Sequence, residues 1–505
     1  MSFKKNTLAK LSSFLTFLLV FLLPTQLGWH FWPQFSFVSG LRIDYYSPTI
    51  YLTDILLILL LFFKPFKLLK FIKLKAFWLF IFLFSLYSIK LPHPWIHLYG
   101  LVRILEIFLL FWIIKNLKNL KPIFWGLVGA VSYTTILATT QFLSQRAISG
   151  KWYFLGERWF TSETPGIAQV QIFGKLLLRP YATFSHPNSM AGFLLVSLWL
   201  IIWLGLLLCD PDKNQKKNVA MPFMASSIYG AINRTATSLG NKLGLQKPPR
   251  FNLIKKVFSL PITYYLLPIT SLGLLLSFSH TAWLVFLISI LIYIFKSLPI
   301  TYYLLPITLI TSLTFPIILL TASRLFPPLA FQEEVYLRNF LAQKGIEAFL
   351  QKPLFGQGIN HFIHFLGSSR PGLLSRTFYQ PTHNIWWLIL AESGLIGLFF
   401  ALWITHKTIK RASAKVRLPS DEGSTPVVRQ AGGVLKTQIT NLYHKPLSLS
   451  LVSILLLSAT DHYLLTLQQN RLLLGLFLGL VWRKKQFFPS SFSKIIKVRY
   501  KSELN

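Results

Sequence analysis

Long apolar runs alternate along this chain with short basic ones. Runs of about 15–25 apolar residues match the length of a helix that crosses a bilayer. They recur near 11–28, 50–63, 76–89, 98–114, 122–142, 187–209, 257–276, 281–295, 297–322, 384–404, 446–460 and 471–482. The pattern predicts an all-α fold, a polytopic membrane protein of about 12 transmembrane helices with a large helix-containing extracytoplasmic loop. The first run, LSSFLTFLLVFLLP, follows Lys4, Lys5 and Lys10 as a signal peptide would, but TQLGWHFWP comes next with no small-x-small cleavage site. It therefore reads as a retained first span.

Basic residues orient the spans, because Lys and Arg accumulate on the cytoplasmic side. KPFKLLKFIKLK (64–75), KNLKNLK (115–121), the 210–256 segment, Lys296, the 406–445 segment and RKK (483–485) all fall on the side of the N-terminus. Both termini are then cytoplasmic, in a multi-pass protein of the inner membrane. The segments 29–49, 90–97, 143–186, 277–280, 323–383 and 461–470 face outward. Four blocks follow: N-terminal helices with their outer loop and connector (1–256), a core with the large outer loop (257–405), a cytoplasmic connector (406–445), and C-terminal helices with a basic tail (446–505).

Within the large loop, EEVYLRNFLAQKGIEAFLQKP (333–353) has helical periodicity: Leu337, Leu341 and Phe349 share a face with Phe340 and Ala348 beside them. Glu334 stands four residues before Arg338, and Pro353 stops the helix. A loop with its own helix at a membrane surface, ending on a histidine, is a candidate lid over a site. The repeat SLPITYYLLPIT, at 259–270 and 297–308, has no ionisable side chain besides tyrosine and reads as a duplicated membrane helix. The segments 210–256 and 406–445, polar and without apolar periodicity, read as flexible connectors.

Composition agrees with the pattern: 53% of the 505 residues are hydrophobic and only 13% charged. A net charge of +36 raises nucleic-acid binding, but the basic residues lie in loops between spans, where topology accounts for them. Membrane lipid, not nucleic acid, is the partner this implies. The single cysteine, Cys209, rules out an intrachain disulfide framework or a cysteine metal cluster.

Four outward positions carry candidate chemistry. Arg179, where the 143–186 loop returns to the membrane, has a planar fork suited to phosphate; the plainer alternative is an arginine snorkelling to water. Asn188 begins the next helix, where asparagine commonly caps. His280 sits in the tight turn SFSHTAWL, and Arg338 lies on the loop helix ahead of KPLFGQGINHF, whose Gly356 and Gly358 permit a sharp turn or close approach. His383 precedes a membrane helix in PTHNIWWLILAESGLIG; a neutral imidazole there can take a proton from a sugar hydroxyl, with Asn384 placed to orient it or the substrate. Glu392 is costly eight residues into that span unless paired or protonated. Arg103 and Glu106 form an i, i+3 ion pair inside another span, and Asp461-His462-Tyr463 reads as structural.

Taken in order, RPYATFSHPNSMA, SFSHTAW, an arginine followed by PLFGQG, and HN with ESGLIG resemble the O-antigen ligase and polymerase family of bacterial envelope proteins. The resemblance runs through roughly 175–405, and the Asp461-His462-Tyr463 segment is compatible with it. It implies a metal-independent glycosyltransferase without a cofactor, which moves a glycan from a polyprenyl diphosphate carrier to an acceptor hydroxyl on a lipid, glycan or protein. Arg179 matches a family arginine for the diphosphate, and His383 matches the family's base. The family commonly has Arg at the place of His280, so the second diphosphate contact would be weaker or come from Arg338 or Arg324. Ligase and repeat-unit polymerase share the donor and are not separated by these residues. A lipid-glycan flippase would need more charged groups inside the spans than Asp54, Arg103, Glu106 and Glu392.

Overall fold

A computed structural model describes residues 2–63, 75–208, 261–294, 329–369, 378–412 and 445–483. The predicted run 297–322, the second copy of the repeat, Arg324 and most of both connectors lie outside the described residues. The other predicted runs all fall on helices, and the protein is mostly helical with a few short strands. Pro94–Lys115, Lys121–Ser144, Pro187–Leu208 and Ile385–Ala412 are long and apolar enough to cross a membrane. Thr7–Phe21, Leu52–Phe63, Leu266–Leu276, His280–Tyr293 and Lys445–Ser458 are shorter apolar helices.

The most buried of these is Pro187–Leu208, apolar all round and packed on all sides, as expected for the central helix of a bundle. Helices around it interlock through small residues. Gly475 and Gly479 of Gln468–Val481 let that helix lie against Ile107–Ile114 so closely that a Cβ at Gly479 would meet Ile114 at 2.6 Å.

Two boundaries differ from the sequence expectation. The first helix is Ser2–Phe21, not 11–28, because the chain turns at Pro24 and Gly28–His30 pairs antiparallel with Thr49–Tyr51. The Ile385 helix continues to Ala412, into the expected connector. Trp482 holds its end: its Nε1 donates to Thr408 Oγ1 at 3.0 Å, and Arg411 stacks on its ring at 4.5 Å.

The loop helix spans Leu329–Gln351, with Leu341 and Ala348 buried against Ala391, Leu388 and the short helix Phe362–Ser369. After it, the chain turns back across a break in the Ile385–Ala412 helix. At that break Gly394 has φ +59°, which opens backbone groups for pairing. Gln357 N donates to Ala391 O, Gly358 N to Glu392 O, Leu395 N to Pro353 O and Ile396 N to Leu354 O. Gly356 must be glycine here: its φ is +69° and a Cβ would sit 2.4 Å from Glu392 C. The glycines make a sharp turn and approach the backbone of the Ile385–Ala412 helix, which fastens the 353–358 segment to that helix.

The orientation can be tested directly. A reporter placed in 323–383 is expected to be external and one in 413–444 cytoplasmic, by protease or thiol accessibility in sealed vesicles. Finding both on one side would separate the outer loop from the face assigned to it.

Candidate active site

The helices surround a cavity of about 550 Å³. Its wall includes His186, His383, Asp461 and His462 near the loops, and Arg103, Gln468 and Arg471 further along the helices. A volume of this size suits a small-molecule or short glycan segment.

Asn384 explains how two distant segments meet. Its Oδ1 caps the helix by accepting from Trp386 N at 2.9 Å and Trp387 N at 3.3 Å. Its Nδ2 donates to Ala459 O at 3.0 Å, which brings the end of the Lys445 helix alongside. His383 Nδ1 consequently lies 3.6 Å from Asp461 Oδ1, and His462 Nε2 lies 3.9 Å from the same oxygen. The first separation is a charge contact slightly longer than a hydrogen bond, and catalytic pairs commonly tighten when substrate binds. Asp461 Oδ1 also accepts from His462 N at 2.8 Å, and His462 Nδ1 is tied to Thr466 Oγ1 at 2.7 Å.

The electrostatics sort these groups. Burial pushes the Asp461 carboxyl up, but the attraction of His383, His462 and Arg338 outweighs it and holds the group well below the usual carboxylate range. Burial brings His462 down to about 3 despite Asp461, with His383, His186 and Arg338 adding to the fall. Burial and the Arg179 guanidinium bring His186 down to about 4. Near pH 7 the cluster thus has an ionised Asp461 between neutral His462 and the His383 imidazole.

The expected donor-side residues are only partly gathered. Arg179 uses Nε on Ser277 O at 3.0 Å and Nη2 on Asn188 Oδ1 at 2.7 Å, stapling the outer loop to two helix ends. Asn188 N donates in turn to His186 Nδ1 at 3.1 Å. Arg338 Nη1 donates to Thr460 O at 3.1 Å, next to Asp461. Neither Arg179 nor Arg338 is part of the cavity wall, but the charge of each acts on His186 beside it. His280 is not part of the cavity wall, and its ring is edge-on to Trp283 with centroids 5.7 Å apart. Glu392 lines the cavity, and its Oε1 accepts from Phe362 N at 3.3 Å, so it also secures the returning loop.

Asp461 and His462, which read as structural in the sequence, are the residues that the structure sets beside His383. A usable signal was there: an acid–histidine pair at the outward end of a span, within a segment compatible with the family pattern. His383, Asp461 and His462 present ligand atoms within 4.8 Å of one another and so have the composition of a cation site. Against that use, Asp461 Oδ1 already accepts from the His462 N–H, and the Arg338 charge opposes a second cation.

Together these features describe a mostly helical protein with several helices apolar enough to cross a membrane and a half-buried imidazole beside a buried carboxylate in a cavity. Residues 265–402 match the O-antigen ligase family, so the resemblance holds over the stretch that contains His280, Arg338, His383, Asn384 and Glu392. Arg179, Asp461 and His462 lie outside the matched stretch. No curated protein matches the chain. The likeness to that family is thus confined to the stretch 265–402.

Proposed function

We propose that this protein transfers a glycan from a polyprenyl diphosphate carrier to an acceptor hydroxyl, at the outer face of the inner membrane, with inversion at the anomeric carbon. The observation that carries the reading is His383 beside ionised Asp461 in the wall of the cavity. With Nδ1 turned to the carboxylate, Nε2 is the atom that takes the acceptor proton as the hydroxyl oxygen bonds to the anomeric carbon. The bond from that carbon to the carrier oxygen breaks, and its electron pair leaves with the diphosphate. Asp461 stabilises the imidazolium that forms, without itself taking the proton.

Charge developing on the diphosphate is met by Arg179 and Arg338, with Arg324 and His280 as further donor-side residues. Holding the diphosphate with guanidinium groups makes the reaction metal-independent, so activity is expected to survive a chelator. The test is to incubate purified protein with a polyprenyl-diphosphate-linked glycan and measure release of carrier diphosphate, with and without acceptors. Release that never depends on an acceptor, or no release at all, would remove the reading. A growing repeat-unit chain as preferred acceptor would make the protein a polymerase by the same chemistry.

Arg179→Lys keeps the charge and loses the fork. Charge-assisted hydrogen bonds of this kind are worth about 1.5–3 kcal/mol, so donor use is expected to weaken by roughly tenfold or more. The staple to Ser277 and Asn188 goes with it. A Lys variant that consumed donor like the parent would leave Arg179 with no fork-dependent role.

A further inference from the structure

Further along the same cavity, Asp54, Arg103, Glu106, Gln468 and Arg471 form a second ionised group. Arg103 Nη1 donates to Asp54 Oδ2 and to Glu106 Oε2, each at 2.9 Å. Gln468 Nε2 donates to the other oxygens of both carboxylates, at 2.8 Å to Asp54 Oδ1 and 2.5 Å to Glu106 Oε1. With its amide nitrogen committed to the acids, Gln468 must turn its oxygen the other way, and that oxygen accepts from Arg471 Nη2 at 3.2 Å. All four carboxylate oxygens are therefore spent on Arg103 and Gln468, and no salt bridge reaches Arg471 among the described residues. Arg471 Nε has no partner, although it is buried, and the side chain lines the cavity.

The formal charges of the group balance, so a charged Arg471 is tolerated there. With no carboxylate bonded to it among the described residues, its guanidinium is placed to pair with an anion in the cavity. Arg158 also lines the cavity, where its Nη1 lies 3.9 Å from Asp44 Oδ2. We propose that Arg471, with Arg158, forms an anion-binding subsite that takes a phosphate or carboxylate of the glycan substrate away from the reacting centre. The identity of the ligand rests on the glycan-transfer reading; the subsite itself does not.

The test uses the full-length protein in detergent and two probes, inorganic pyrophosphate and glucuronate. Phenylglyoxal labelling of Arg471, followed by peptide mass spectrometry, is expected to slow about tenfold with a saturating probe. By calorimetry, Arg471→Gln should bind that probe about tenfold or more weakly, with Arg471→Lys in between. Protection by pyrophosphate alone would assign the subsite to a diphosphate, and protection by glucuronate alone to an acidic sugar. If neither probe slows labelling, or a folded Arg471→Gln protein binds the probe like the parent, the subsite does not exist. Should Arg471→Gln fail to fold, labelling of the parent still decides. Absence of glycan transfer by the parent would leave these binding results standing, so the two readings fail separately.

Discussion

A His383→Ala protein is expected to insert and fold like the parent, to bind donor, and to lose glycan transfer by about 10²–10⁴-fold. Among the described residues its Nδ1 makes no hydrogen bond that supports a span; its near neighbour is Asp461 at 3.6 Å. The ring is removable without opening the helix bundle, because Asn384 supplies both the cap and the tether to Ala459. A group that acts only in proton transfer should lower turnover and leave donor affinity largely alone. Asp461→Asn should follow it in direction with a smaller loss, since it removes the charge that stabilises the imidazolium and leaves the imidazole in place. Near-parent transfer by His383→Ala, measured as carrier diphosphate released per unit protein, would refute the assignment. His186, which lines the same cavity, would then be the next imidazole to test.

Much of the helical architecture was legible because apolar run length is a direct physical requirement for crossing lipid. His383 and Arg179 were legible for a related reason: polar residues at the ends of such runs are few and must face the interface. What joins them was not. Asp461 reaches His383 only through the Asn384–Ala459 bond between two segments far apart in the chain, and no local pattern announces that contact. The short hairpins, such as Gln169–Ile172 with Lys175–Leu178, escaped for another reason. Strands this short carry too little alternation to stand out from a polar loop. The break at Gly394 inside an apolar run, and the segment that pairs with it, could be found only in three dimensions.

The ion pair of Arg103 and Glu106 was expected from their spacing, and the structure adds Asp54 as a second carboxylate on the same guanidinium. That addition makes Arg103 the position with the largest expected effect on stability. Arg103 Nη2 also donates to Thr49 O, so one side chain ties the Pro94–Lys115 helix to the strand and helix around Asp54. The side chain is 5% exposed and its two acidic partners 16% and 8%, so water cannot replace it. Arg103→Leu would leave two carboxylates facing each other with only Gln468 between them. Removing one partner of a buried pair costs about 3–5 kcal/mol, and the expected result is poor accumulation in the membrane or a clearly lower thermal transition in detergent. Adding Glu106→Gln to Arg103→Leu removes one stranded charge and keeps a side chain that can pair with Gln468, so it should recover part of the loss. Arg103→Leu alone, as stable as the parent in a thermal aggregation assay, would show that the carboxylates accept protons at little cost and that the pair does not hold these helices together.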